Sequence, residues 1–485
     1  MVAKREGTHL ENQEEEKQPK KSQADILVDL ATTSDIQLFH ELDGTGYASI
    51  YINSHREIWR VSGQDFKKYL CHKYWNRLQK APSNEAIRSA ISVIEGICEY
   101  DGVQLELHNR VCIDNKSLYY DLTNDGWQSV EVNSEGWDIV EPNILFKRMK
   151  HQAPQAIPVK SGNIYKLLDF INLKENMFLF LVYVVSCFIP DIPHPIPILY
   201  GQKGGAKSTT SAMLKKIIDP SIMELITFPR NQDELVLQLD HHYYVPFDNL
   251  SRLQDWASDS LCRACTGEAV SKRTLYSNED DCIFRFKRCI LLNGINVSAI
   301  REDLLDRSIL LELERISGSN RKTMSEIWEA FENEKPLILG AIFDILSKAI
   351  KLKPTIKLND KPRMADFAER GCCIGESIEV GGGEKFLDEY RLSVDKQSQE
   401  AINSNPVGLC VINFMENKTK WEGKASDLLG KLETVAAKER IDRGTNYFPR
   451  SANVLARQLN SIKSNLMESG IEYKSVNKNI SLIKK

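Results

Sequence analysis

The sequence predicts an α/β core, preceded by an α+β domain and followed by a helical region that ends in a winged-helix-like module. Three observations carry this reading. An apolar strand, Ile196 to Tyr200 (IPILY), runs into the glycine-rich turn GQKGGAKSTT, and a helix from Ser208 to Ile218 follows until Asp219-Pro220 stops it. Further apolar strands ending in polar residues recur downstream in HYYVPFDN (His242 to Asn249) and KRCILLN (Lys287 to Asn293). Finally, 485 residues exceed what one hydrophobic core supports, so several domains are expected.

The elements follow in chain order. Residues 1–24 are polar, dense in charges of both signs and without an apolar core, and read as a disordered tail, not a signal peptide. Residues 25–153 read as the α+β domain. Tyr47 to Asn53 and Glu57 to Val61 suggest a hairpin, Gln64 to Leu78 and Asn84 to Glu99 suggest helices, and short strands are expected at Val103 to Leu107, Val111 to Ile113, Ser117 to Asp121 and Trp127 to Val132. Asp114 and Asp121 flank one of these strands as turn and edge residues, and no carboxylate constellation marks a nucleotide polymerase. APQAIPVKSGN (Ala153 to Asn163) is a linker. The core domain spans 164–353 and closes with a helical segment beginning at Pro336. The apolar run Met177 to Ile189 falls short of the ~20 residues that span a bilayer and reads as a buried helix.

The core carries the chemistry. Backbone N–H groups of the glycine turn can point at phosphate oxygens, the helix N-terminus adds partial positive charge, and Lys207 adds a full one. Gly201, Gly204, Gly205, Ala206, Lys207, Ser208 and Thr209 form this cradle, a P-loop. Ala206 stands where the usual pattern has its last glycine, and it fits if its φ stays negative. Ser208 and Asp248 would hold magnesium. Many relatives of this motif place glutamate after that aspartate to activate the attacking water; Asn249 stands there instead and could only orient it. Asn293 ends a third strand, where it could bind the γ-phosphate. Arg307, before the strand Ile309 to Leu313, could reach across a subunit interface, with Arg301 as the alternative; Glu302, Asp303 and Asp306 offer both arginines local ion pairs instead.

In this order GQKGGAKS, YYVPFDN, KRCILLN and LLDRS resemble, over Ile164 to Arg315, the ATPase core of AAA+ proteins, and among them the superfamily 3 helicases of phages, plasmids and other mobile elements, the primase-helicase type. The resemblance implies ATP and Mg2+ as cofactors, Asp248, Asn249, Asn293 and Arg307 as catalytic residues, and a cytoplasmic ATPase with DNA as partner and no membrane. It also implies self-association into a ring, hexameric as the resemblance has it, with sites between subunits. A hairpin projecting into the pore is implied too: Val270 to Tyr276, a turn at Ser277 to Asp281 and Cys282 to Arg288, basic at Lys272, Arg273, Arg285, Lys287 and Arg288 but acidic at Glu279, Asp280 and Asp281. Two other readings share these motifs: an ATP-driven regulatory or defence switch that unwinds nothing, and a DNA-binding scaffold with a degenerate P-loop.

Residues 354–420 read as a helical linker region, with a flexible point at Gly375 to Gly383, and 421–485 as the winged-helix-like module. Ser451 can cap a helix with an apolar stripe of Leu455, Leu459, Ile462 and Leu466; Gly470 ends it, and strands follow at Ile471 to Val476 and Ile480 to Ile483. From Lys431 on, eleven Lys/Arg face five Asp/Glu while the whole chain carries −4, which suits Arg450, Arg457 and Lys463 to DNA phosphates. Eleven scattered cysteines point to reduced thiols, and Cys262, Cys265, Cys282 and Cys289 read as core residues more readily than as a metal site.

Overall fold

In the computed structural model the chain divides after Glu106, inside the span 25–153 that sequence patterning places in one domain. The structure describes residues 21–485 except 53–54, 251–252, 268–269, 274–280, 285–286, 295–299, 317–321, 354, 359–360, 442–447 and 477–478.

The first unit runs α1 (Gln23–Ala31), β1 (Ile36–His40), β2 (Gly46–Ile52), β3 (His55–Arg60), α2 (Gln64–Leu78), α3 (Asn84–Tyr100) and β4 (Val103–Gln104). Ser22 and Asp25 form a capping box that starts α1 within the span read as tail. The sheet order is β3-β2-β1-β4, antiparallel except where β4 joins β1. α3 buries Ala86, Ala90, Ile91, Ile94 and Cys98, a three-to-four spacing that gives one apolar face. α1, α3, Phe66, Leu70 and Tyr74 of α2, and Ala48 and Ile50 of β2 share one core.

The second unit opens with an antiparallel meander, β5 (Val111–Asp114), β6 (Ser117–Asp121), β7 (Ser129–Asn133) and β8 (Gly136–Val140). A 3-10 turn (Ile164–Phe170) and α4 (Met177–Ser186) follow, and α4 is buried from Phe178 to Ser186. Next come β9 (Ile196–Gly201), α5 (Lys207–Ile218), β10 (Ile226–Thr227), α6 (Gln232–His241), β11 (Tyr244–Asp248), α7 (Asp255–Thr266), the pair β12 (Val270–Arg273) and β13 (Asp281–Phe284), β14 (Cys289–Asn293), α8 (Glu302–Leu305) and β15 (Ser308–Leu313). β10-β11-β14-β9-β15 form a parallel sheet in that order. Its central strands read as continuous apolar runs because both faces are covered. Among the described residues no helix is long and apolar enough to cross a membrane.

Helices α9 (Met324–Leu352), α10 (Ala365–Ile378), α11 (Gly382–Ser404) and α12 (Pro406–Met415) lead to β16 (Lys420–Lys424), α13 (Ala425–Lys438), α14 (Ala452–Ser461), α15 (Lys463–Glu468), β17 (Ile471–Val476) and β18 (Asn479–Lys484). α9 corrects the expected start at Pro336. A capping box of Thr323 and Glu326 sets its N-terminus, and burial of Ile338, Leu339, Ile342, Phe343 and Leu346 carries it through the proline. The predicted helix after Ser451 is broken at Ile462 into α14 and α15, and Ser451 occupies the N-cap without a side-chain bond. β17 and β18 pair as expected, and β16 adds a third strand.

A buried ion cluster fastens the β5–β8 meander to the far end of α5. Asp219 accepts from Lys215 Nζ at 2.6 Å and Arg110 Nε at 3.0 Å, and all three side chains are fully buried. Arg110 also donates to the Asp121 and Pro220 carbonyls, both at 3.0 Å. Asp121 is therefore more than an edge residue: it is buried and chelates Arg148 through both oxygens, at 2.6 and 3.0 Å, while still accepting from Thr123 N in an Asx turn. Beside the cluster the His151 and His242 rings lie 3.8 Å apart. Burial, with Lys215 adding to it, lowers His151 to about 4 and holds His242 well below the ordinary imidazole range. Both stay neutral in the fold and gain protons on unfolding near their ordinary ~6.5, so stability is lost as pH falls from there toward 4. The melting temperature should drop between pH 7 and pH 5, and the double variant His151→Gln/His242→Asn should flatten that slope.

Candidate functional site

The parallel sheet puts four chain turns at one end, after the carboxyl ends of β9, β11, β14 and β15. In the β9–α5 turn Gly201 has φ +132°, and a Cβ there would stand 2.3 Å from the Leu313 carbonyl. Gly204 has φ +86°, and a Cβ on Gly205 would stand 3.1 Å from the Glu314 carbonyl. Ile316 N donates to Gly204 O at 3.4 Å. The chain leaving β15 thus walls the turn, a feature sequence reasoning did not identify; the glycine required at 201 was its only local signal.

Ala206 overturns the expectation of a negative φ. It sits at φ +59° as the residue before α5, so the turn keeps the left-handed conformation a glycine would adopt and the alanine bears its cost. That conformation costs a non-glycine residue about 1–2 kcal/mol. Ala206→Gly should therefore stabilise the second unit, raising its melting temperature by about 2–4 °C per kcal/mol recovered; an unchanged or lower value would contradict the strain.

Lys207 Nζ folds back over the turn and donates to the carbonyls of Gly201 and Gln202 at 3.0 and 3.1 Å. Ser208 Oγ donates to Asp248 Oδ1 at 2.9 Å, and Asn293 Nδ2 donates to Ser208 Oγ at 3.3 Å and also to Asp248. β14 lies between β9 and β11, so Asp248 reaches Ser208 from beyond Asn293's strand. Asn293 is buried, and its Oδ1 lacks a hydrogen-bond partner. Thr209 is half-buried in the first turn of α5. Asn249 is exposed at φ +56°, a conformation asparagine tolerates, next to Gly294, where a Cβ would stand 3.0 Å from Asn249 Cα.

This arrangement can cradle phosphate: open backbone, a helix N-terminus and an ammonium meet there. Among the described residues no group of three or more His, Cys, Asp or Glu could hold a metal ion. Magnesium fits a sparser set, because it keeps several waters and takes phosphate oxygens. The Ser208–Asp248 pair, with the unpartnered Asn293 oxygen beside it, supplies such a set. Cys262 and Cys265 do not: burial pushes their thiols up to about 11 and 12, which keeps them protonated, and the side chain of Cys282 lies outside the described residues.

Arg307 lies elsewhere. It precedes β15, its carbonyl accepts from Ile196 N at 2.8 Å, and its Nη1 donates to Asp303 O at 2.7 Å. That is the amino end of the sheet, about 20 Å of strand from the turn after β9. Arg301 pairs with Asp259 at 3.1 Å and Asp303 at 3.4 Å. In the hairpin, β12 and β13 pair from Val270–Phe284 to Arg273–Asp281. The expected tip, with Glu279 and Asp280, and Arg285 lie outside the described residues. Two expected phosphate contacts are otherwise engaged: Lys287 Nζ donates to Asp191 O at 2.6 Å and Arg288 Nε to Leu239 O at 2.5 Å. Arg450, Arg457 and Lys463 are exposed on the C-terminal module.

Residues 162–400 match the family described as actinomycete integrative conjugative element replication protein, and residues 407–485 match the C-terminal domain of the same replication proteins. A search of curated proteins finds no match. Among solved structures, the A form apo structure of the NrS-1 C terminal region is 14% identical, with 94% of this chain and 98% of that chain covered and a TM-score of 0.41. A second apo structure of that region is 13% identical, with 96% and 100% covered and a TM-score of 0.39.

Proposed function

We propose, from the premise that the chain belongs to the replication proteins of actinomycete integrative conjugative elements, that it is an ATP-hydrolysing motor of AAA+ type acting on DNA as a ring. One observation carries this reading: Ser208, Asp248 and Asn293 meet beside a glycine turn whose backbone is held open at the end of a parallel sheet. Lys207 would exchange its two carbonyl partners for the β- and γ-phosphates. Ser208 and Asp248 would hold magnesium, which when bound neutralises phosphate charge. Asn293 would place its amide at the γ-phosphate or the attacking water. Asn249 carries no carboxylate to take a proton from that water, so turnover is expected to be slow. Arg307, at the far end of its own sheet, cannot complete its own subunit's site, and its role as a finger requires a neighbouring subunit.

The test is DNA-stimulated ATP turnover measured beside strand separation of a forked duplex. The motor reading expects both. Mixing Arg307→Ala with Lys207→Ala subunits should recover part of the turnover each variant lacks, because mixed interfaces contain intact sites; no recovery would overturn the trans role. Asn249 specifically favours a second reading, a nucleotide-driven switch, for which ATP binding and assembly without strand separation would be the result.

A further inference from the structure

We propose that the groove between β3 and α2 in the first unit binds single-stranded DNA, with Trp59 and Tyr69 stacking a base and Lys68 and Lys73 holding the flanking phosphates. A cavity of about 490 Å³ opens there, lined by Glu57 and Trp59 from β3 and Asp65, Lys68, Tyr69 and His72 from α2. The Trp59 and Tyr69 rings meet edge to face, centroids 5.5 Å apart, and both are only half-buried. Next along the same helix face Trp75 is 49% exposed, although α2 has a core side where Phe66, Leu70 and Tyr74 are buried. A helix that can bury aromatic rings and leaves others in the solvent beside a groove offers surfaces for another planar group.

Charge identifies that group. Residues 55–80 carry seven Lys/Arg against two Asp/Glu, whereas 21–54 and 81–106 each carry one against five. Four of the seven, Lys67, Lys68, Lys73 and Arg77, lie on α2 and Lys80 just past its end, whereas Arg56 and Arg60 alternate onto the sheet face opposite Trp59; the positive charge of the unit is thus gathered on the helix that forms the groove. Its two carboxylates are already engaged: Glu57 pairs with His55 at 3.1 Å, and Asp65 lies in the first turn of α2, where the helix N-terminus favours an anion. Lys68 is exposed, and Lys73, 5.3 Å from the Tyr69 ring centroid, is held only by a half-exposed pair with Asp35 at 3.5 Å that a phosphate can replace. Rings flanked by cations match a single strand, whose bases are open to stacking; a duplex keeps its bases paired and offers phosphates alone. An acidic protein would satisfy the cations and leave the rings without a role.

Photocrosslinking tests this with the full chain and no nucleotide, using an oligothymidylate that carries iodouracil. Peptides spanning 56–77 should be trapped. Lys68→Glu/Lys73→Glu should weaken binding of the same oligonucleotide about tenfold or more, and Lys68→Gln/Lys73→Gln should flatten its salt dependence by about 0.7 in log–log slope for each phosphate no longer neutralised. Trp59→Phe should keep most of the affinity and Trp75→Ala should lose part of it. ATP turnover without DNA should be unchanged in every variant, so this site stands or falls separately from the nucleotide site. Crosslinks confined to residues 107–485 with unchanged affinities, or equal competition by duplex, would overturn the proposal.

Discussion

Lys207→Ala should lower ATP turnover by at least about a hundredfold, the scale for losing one preorganised group from a charged transition state. The loss should appear in nucleotide affinity as well, because Lys207 is the ammonium folded over the turn and the backbone N–H groups supply only partial charges. Asp248→Asn should behave differently. Asn can still accept from Ser208 Oγ, but it removes the negative charge that holds a divalent ion. Nucleotide binding without magnesium should then survive while the increment from magnesium and the turnover disappear. If Lys207→Ala retains wild-type turnover, the ATPase reading fails; if Asp248→Asn keeps its magnesium response, another residue holds the metal.

The glycine turn and the strands around it were legible because a parallel sheet covered on both faces needs apolar strands, and IPILY, YYVPF, CILLN and SILLEL leave no alternation to misread. Glycine at 201 and 204 marked where the chain takes positive φ. What escaped was set by residues distant in sequence. The sign of φ at Ala206 follows from a turn walled by the chain leaving β15, which the local string does not contain. β1 and β16 are short and largely exposed or mixed in burial, and KWEGK carries almost no apolar signal. Pro336 looked like a helix start because it can serve as one, but a capping box whose N-cap, Thr323, lies thirteen residues earlier outranked it. The boundary after Glu106 was hidden because β5–β8 read like more of the preceding α+β pattern, and their attachment to α5 rests on Arg110, which only the fold brings to Asp219.

That attachment gives the largest expected stability effect. Asp219 accepts from Lys215, Arg110, Tyr243 N and Tyr244 N, the last two at 3.0 and 3.2 Å. Burial alone would raise its pKa, yet the adjacent Lys215 and Arg110 outweigh that and hold the carboxyl well below the usual carboxylate range. Asp219→Ala removes the anion shared by two buried cations and should cost about 3–5 kcal/mol, lowering the melting temperature on the order of 10 °C. Lys215→Met should cost much less. It leaves Asp219 with Arg110 as a matched pair, while Asp121 and Arg148 beside them stay balanced, and methionine refills the volume of the lysine stem. The two variants differ in whether buried charge is stranded, so the asymmetry separates electrostatics from packing: equal losses would mean that the cluster acts as filler. The stronger variant should also weaken nucleotide binding, since α5 starts at Lys207 and ends at the residue before Asp219, and loosening one end frees the other. Urea unfolding of both variants, read beside nucleotide affinity, measures the asymmetry and the coupling together.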